Sequence, residues 1–231
     1  DRSSDLHGLG KRLSILSSMF RLALGLVAAL FLAACAGEPV WAPDDAVAAA
    51  RYSSSGQPEI SLLTSLSDRS SEGAHTALLI NGSQRILFDP AGNWDHSRAP
   101  ERNDVRFGMS PDVVAHYLGF QASTNYHAVL INVPVSAEVA ERAIALAMQN
   151  GAVGPALCAS ATSAILRQLP GFESISSSAF PKTLMKSFAQ LPGARAEVYY
   201  GAPGEHGRPT VDSGLLPPSG ATYVGGSPSG S

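Results

Sequence analysis

Gly73-Ala74-His75-Thr76-Ala77-Leu78-Leu79-Ile80-Asn81-Gly82-Ser83-Gln84-Arg85-Ile86-Leu87-Phe88-Asp89 reads as two apolar strands folded back on one another. Asn-Gly between alternating hydrophobic runs is the strongest short-range hairpin signal, because both residues tolerate the positive φ that a tight turn demands. With a three-residue loop of Asn81-Gly82-Ser83, Ile80 pairs with Gln84, and counting outward sets His75 opposite Asp89. Those two then share a face with Ala77, while Leu78, Ile80, Ile86 and Phe88 fill the other. A two-residue loop of Asn81-Gly82 pairs His75 with Phe88 instead and turns Asp89 away, since one residue of slip exchanges the faces. Both registers are open at this level.

Working outward, residues 60–66 and 126–133 read as further strands, and 195–200 as the last one. Residues 93–106 are a charged loop. Ser110-Pro111-Asp112 supplies an N-cap, a first-turn proline and an acid, opening a helix that Gly119 should stop after Leu118. Ser136 caps a helix to Gln149 with Val139, Ala143, Leu146 and Ala147 on one face. Residues 159–169 form a helix closed by Pro170-Gly171, and residues 181–190 another. Strands followed by helices, with few alternations, give an α+β domain over 59–200: an antiparallel sheet with helices packed on it. Beyond it, residues 201–231 hold 18 Gly, Pro or Ser in 31 positions, a composition that cannot bury a core and reads as a disordered tail.

The N-terminal region carries a different signal. Residues 22–36 are 15 successive apolar or small residues behind Arg21 and Lys11-Arg12. As a helix they would span roughly 22 Å, short of the ~30 Å hydrocarbon core. That suits a signal peptide over residues 1–34 better than a membrane span. Met19-Phe20-Arg21 would make a compact start for it. The run ends in Leu32-Ala33-Ala34-Cys35, which resembles the bacterial lipobox, and the resemblance implies lipidation of Cys35. Ala36 follows, not Asp, so the expected location is the outer membrane facing the periplasm, with the Pro/Ser/Gly-rich residues 35–58 as a lipidated tether that holds a short helix at 44–50. The chain has 16 Lys+Arg against 19 Asp+Glu and a net charge of −3. Removing residues 1–34 leaves 12 basic against 17 acidic residues, a net −5. Membrane attachment therefore rests on acyl chains and not on charge. No basic run could neutralise a row of phosphates, which argues against nucleic acid as a partner.

Only two cysteines exist. With Cys35 blocked by lipid, Cys158 has no partner in the chain, and an odd thiol outside the cytoplasm is a buried hydrophobe, an intermolecular bridge or a working nucleophile. Gly154-Pro155-Ala156-Leu157 reads as a loop, so Cys158 falls at a helix N-terminus, where free N–H groups favour the thiolate. A nucleophilic thiol needs a base, and the base needs an orienting group. His75 at a strand entry is the best-placed base, His127 before the apolar run 128–131 is its rival, and Asp89 is the orienting acid. No metal-ligand spacing is present, so neither a metal nor an organic cofactor is implied.

A Gly-x-His-x-x-x-apolar strand, a second strand ending in an acid, and a cysteine on a later helix together resemble the circularly permuted papain-like hydrolases. These are relatives of the NlpC/P60 cell-wall peptidases and of lecithin:retinol acyltransferase. The resemblance covers roughly residues 60–190. It implies a permuted papain-like fold with Cys158 as nucleophile, His75 as base and Asp89 as orienting residue. The implied activity is a thiol hydrolase or acyltransferase acting on amide or ester bonds, with peptidoglycan stem peptides or other acyl groups as substrates. The alternatives are a non-catalytic envelope lipoprotein whose degenerate hydrolase fold binds glycan, peptide or protein, and a dimer bridged through Cys158.

Overall fold

A computed structural model describes Arg21, residues 37–200 and the strand at 210–214. Cys35 and the apolar run before it lie outside the described residues. The chain divides after Gly37, and the fold below belongs to the unit Glu38–Ser231. Among the described residues no helix is long and apolar enough to cross a membrane.

The strands are β1 (Glu59–Ser67), β2 (Gly73–Asn81), β3 (Arg85–Phe88), β4 (Glu101–Arg102), β5 (Val105–Arg106), β6 (Tyr126–Pro134) and β7 (Arg195–Tyr200). They form one antiparallel sheet in the order β4-β5-β3-β2-β1-β6-β7. The helices are α1 (Asp44–Ala50), α2 (Pro111–Gln121), α3 (Ala137–Gln149), α4 (Cys158–Leu166) and α5 (Pro181–Phe188). The class is α+β, as the order of patterns indicates.

Alternation along the central strands divides the core in two. On one face Ile60, Leu62, Leu78, Ile80, Ile86 and Phe88 pack against α3, α4 and α5 through Ile144, Ile165, Leu184 and Phe188. On the other, Leu63, Ala77, Leu87, Ala128 and Leu130 meet Val113, Tyr117 and Leu118 of α2, with Trp94 and Met109. The stripe that α3 buries is Ala140, Ala143, Ile144 and Ala147, with Val139 and Leu146 at its margin. Ser136 caps that helix by accepting the Val139 N–H.

The hairpin register is neither of the two expected. Asn81 pairs with Arg85, Ile80 with Ile86 and Leu78 with Phe88, so the loop is Gly82-Ser83-Gln84. Contacts from outside the hairpin account for it. Glu141 of α3 accepts from both the backbone N–H and the hydroxyl of Ser83, while the Asn81 side chain donates to the Gln57 carbonyl. Continued outward, this register sets Asp89 level with Ala77, two residues from His75. The slip from the three-residue reading is two residues, an even number, so every side chain keeps its face.

Three further expectations are corrected. The helix α2 does not stop at Gly119 but runs through it to Gln121. Glycine costs a helix about 1 kcal/mol, and here the burial of Gly119 among Tyr117, Leu118 and Gln121 offsets that. Residues 40–58, expected to be part of a tether, lie against the sheet. Trp41 bridges to Arg102, Val47 packs on the core, and the Tyr52 carbonyl accepts the Arg85 N–H. The tail, expected to be without structure, contributes β8 (Thr210–Gly214), which pairs with β7.

Candidate active site

The strand β3 ends at Phe88 because Asp89-Pro90-Ala91-Gly92 turns away, closed by the Gly92 N–H on the Asp89 carbonyl at 2.9 Å. The β2–β3 ladder reaches back along β2 only to Leu78. The first residues of β2 thus form a local edge inside the sheet. A bulge there sets Gly73 opposite Leu66 and His75 opposite Ser65, with Ala74 as the extra residue. Gly73 therefore faces α5 and His75 the α2 side; such bulges re-aim side chains. From the opposite layer α4 brings Cys158 to this edge, where the Thr76 N–H donates to its sulfur.

Cys158, His75 and Asp89 form one hydrogen-bonded series. The Nε2 of His75 stands 2.6 Å from Asp89 Oδ1, and the imidazole bonds to the Cys158 sulfur. With Nε2 committed to the carboxylate, Nδ1 is the nitrogen left for the thiol. Asp89 is held in turn. Its N–H donates to the Asp104 carbonyl at 2.8 Å, and its Oδ1 accepts the Tyr117 hydroxyl at 2.6 Å. Gln121, one helical turn beyond Tyr117, hydrogen-bonds the phenol oxygen. The Gln121 backbone carbonyl accepts the Ser65 hydroxyl at 2.9 Å. Asp89 is 3% exposed and Tyr117 2%, so water does not compete for these bonds.

The electrostatics favour a thiolate–imidazolium pair. Burial alone would push His75 down, but its bonds to Asp89 and Cys158 outweigh that and raise it to about 10. Burial works to raise the Cys158 thiol as well. The His75 imidazole and the backbone N–H groups of Thr76 and Ala159 overcome it and leave the thiol below its ordinary value. A helix N-terminus adds in the same direction. Leu157, at the N-cap position, offers no capping bond, and no acid stands in the first turn of α4. The sulfur therefore meets that end of the helix without competition from another acceptor on the helix.

No protein-family model, curated protein or solved structure matches this chain. The site is therefore read on its own geometry. That geometry brings together Cys158, His75 and Asp89, the three residues chosen from the sequence, and leaves the rival base elsewhere. His127 lies on β6, separated from β2 by β1. Its Nδ1 is 2.7 Å from Asp68 Oδ1 and its ring lies against Tyr200. Among the described residues no group of three or more His, Cys, Asp or Glu is placed to hold a metal.

Sequence reasoning missed four supports of the site. Gln121 was hidden by the expected stop at Gly119, and Tyr117, inside the expected helix, carried no mark of a carboxylate partner. Gly92 looked like an ordinary turn residue, yet a Cβ there would overlap the Asp89 carboxylate. The loop at 93–106 contains the β4–β5 hairpin, whose turn residues Asn103 and Asp104 have φ of 46° and 66°. Two adjacent positive φ values are the mark of a type I′ turn, and Asn-Asp was the signal for it.

Proposed function

We propose that the chain is a lipid-anchored envelope thiol hydrolase or acyltransferase of the permuted papain-like kind, acting on amide or ester bonds. The observation that carries this reading is the bonded series Cys158–His75–Asp89 at the N-terminus of α4. The thiolate attacks a carbonyl carbon, a C–S bond forms, and the oxyanion is met by backbone N–H groups of the first helical turn. The imidazolium gives its proton to the leaving amine or alcohol as the C–N or C–O bond breaks. Water or an amine then attacks the thioester, with His75 taking its proton, and the thiolate is restored. Asp89 keeps the ring oriented throughout and stabilises its charged form. The expected envelope location and the resemblance to cell-wall peptidases make peptidoglycan stem peptides the candidate substrate.

The pH dependence of alkylation tests the site. The thiolate forms as pH rises through the depressed value of Cys158, and the pair persists until His75 loses its proton near 10. Iodoacetamide labelling of Cys158 should therefore rise at a pH below the ~8.5 of a free thiol and stay high to about 10. In His75→Ala the imidazole is lost and burial is opposed only by the Thr76 and Ala159 N–H groups and the helix end, so the rise should move up towards or beyond ~8.5. A wild-type profile already at or above that value, unmoved by His75→Ala, would remove the catalytic pair. The anchor is tested separately: Cys35→Ala should move the protein from the membrane to the soluble fraction of cells, and retention would contradict lipidation.

A further inference from the structure

Beside the site lies a cleft of about 220 Å³ lined by Glu72, Gly73, Phe180, Pro181, Lys182, Thr183 and Lys186. Its floor is the close approach of α5 to β2, where a Cβ on Gly73 would stand 2.7 Å from the Lys182 nitrogen and 2.8 Å from Pro181. Gly73 precedes His75 by two residues and Thr76, the amide partner of the sulfur, by three. At about 3.4 Å per strand residue the cleft opens roughly 10 Å along β2 from Thr76, whose amide meets the thiol. The far wall is fixed to the helix that carries the cysteine. The Ser178 N–H donates to the Ser163 hydroxyl of α4 at 3.1 Å, and the Ser178 hydroxyl accepts the Phe180 N–H at 3.1 Å.

The lining has two characters. Phe180 is 71% exposed, a large ring held open to solvent at the lip of the cleft. Opposed to it are two ammonium groups a helical turn apart. Lys182 stands 3.5 Å from Glu72, which offsets its charge. Lys186 makes no ion pair among the described residues, so the cleft carries one net positive charge.

Building on the thiol hydrolase reading, we infer that this cleft selects acyl groups bearing a carboxylate several bonds from the scissile carbonyl. The aliphatic part lies along Phe180 and Pro181, and the carboxylate meets Lys186. One net charge matches one carboxylate.

Two activated esters of equal length test this: 4-nitrophenyl hydrogen adipate, with a terminal carboxylate, and 4-nitrophenyl hexanoate, with a methyl. In each, Cys158 attacks the ester carbonyl, the C–S bond forms, and 4-nitrophenolate leaves with the electron pair of the broken C–O bond. The adipate should be preferred at least tenfold in kcat/KM, and Lys186→Ala should bring the ratio close to one. Lys186→Glu should invert it. Equal rates for the two esters, or a preference that survives both substitutions, overturns the inference while leaving the thiol chemistry standing. Acylation of Cys158 by neither ester overturns both.

Discussion

A methyl group at position 92 would overlap Oδ2 and Cγ of Asp89, because the carboxylate folds back over its own turn to reach His75 and Tyr117. Gly92→Ala must therefore push the carboxylate out of place or open the turn. Overpacking of this kind costs about 1–3 kcal/mol, so the urea midpoint should fall. The onset of Cys158 alkylation should also move to higher pH, because a His75 without its carboxylate holds the thiolate less well. A lowered midpoint with an unchanged alkylation profile would show that Asp89 serves the fold alone. The residues with overt chemistry were legible because each stands at or beside the end of an element, His75 near the start of β2, Asp89 just past β3 and Cys158 at the first position of α4. Tyr117 was not. An aromatic on the buried side of a helix looks like core until its hydroxyl is seen to have a buried carboxylate as partner.

At the scale of elements, α4 is the part whose sequence most directly sets reactivity. Its N-cap position holds Leu157, which is 46% exposed and makes no capping bond. Leu157→Asp should improve the cap and add a negative charge beside the sulfur. The first effect stabilises the helix by about 1 kcal/mol, and the second opposes the thiolate. The variant should thus melt no lower than the parent while its Cys158 titrates about one pH unit higher. Equal titration in the two proteins would show that the helix end has no influence on the thiol. Helix and strand periods made most elements readable from sequence, down to Arg195–Tyr200 for β7. The hairpin register was not, because Glu141 and Gln57 decide it from elsewhere in the chain. The pairing of faces survived nonetheless, since the shift was even.

For the unit Glu38–Ser231 as a whole, residues 40–58 act as a strap along the sheet. The Arg102 guanidinium lies 4.7 Å above the Trp41 ring, and Tyr52 and Gln57 carbonyls accept from Arg85 and Asn81. A chain beginning at Glu59 should consequently melt about 10 °C or more below one beginning at Glu38, at about 2–4 °C per kcal/mol lost. Equal melting temperatures would return the segment to the role of a spacer. Its Pro, Ser and Gly content concealed this, because composition reports how freely a segment moves when alone and not which partners it finds. The covering of the thiol has a consequence of its own. Cys158 is 7% exposed, whereas a disulfide needs two Cβ atoms within about 4.5 Å. The flank of another folded protein cannot come that near, and neither can a carbonyl set in a helix or a sheet. On the thiol hydrolase reading, the reacting carbonyl should therefore arrive on a slender group, such as a chain end, a cross-link or a pendant arm, so that girth screens visitors before chemistry does.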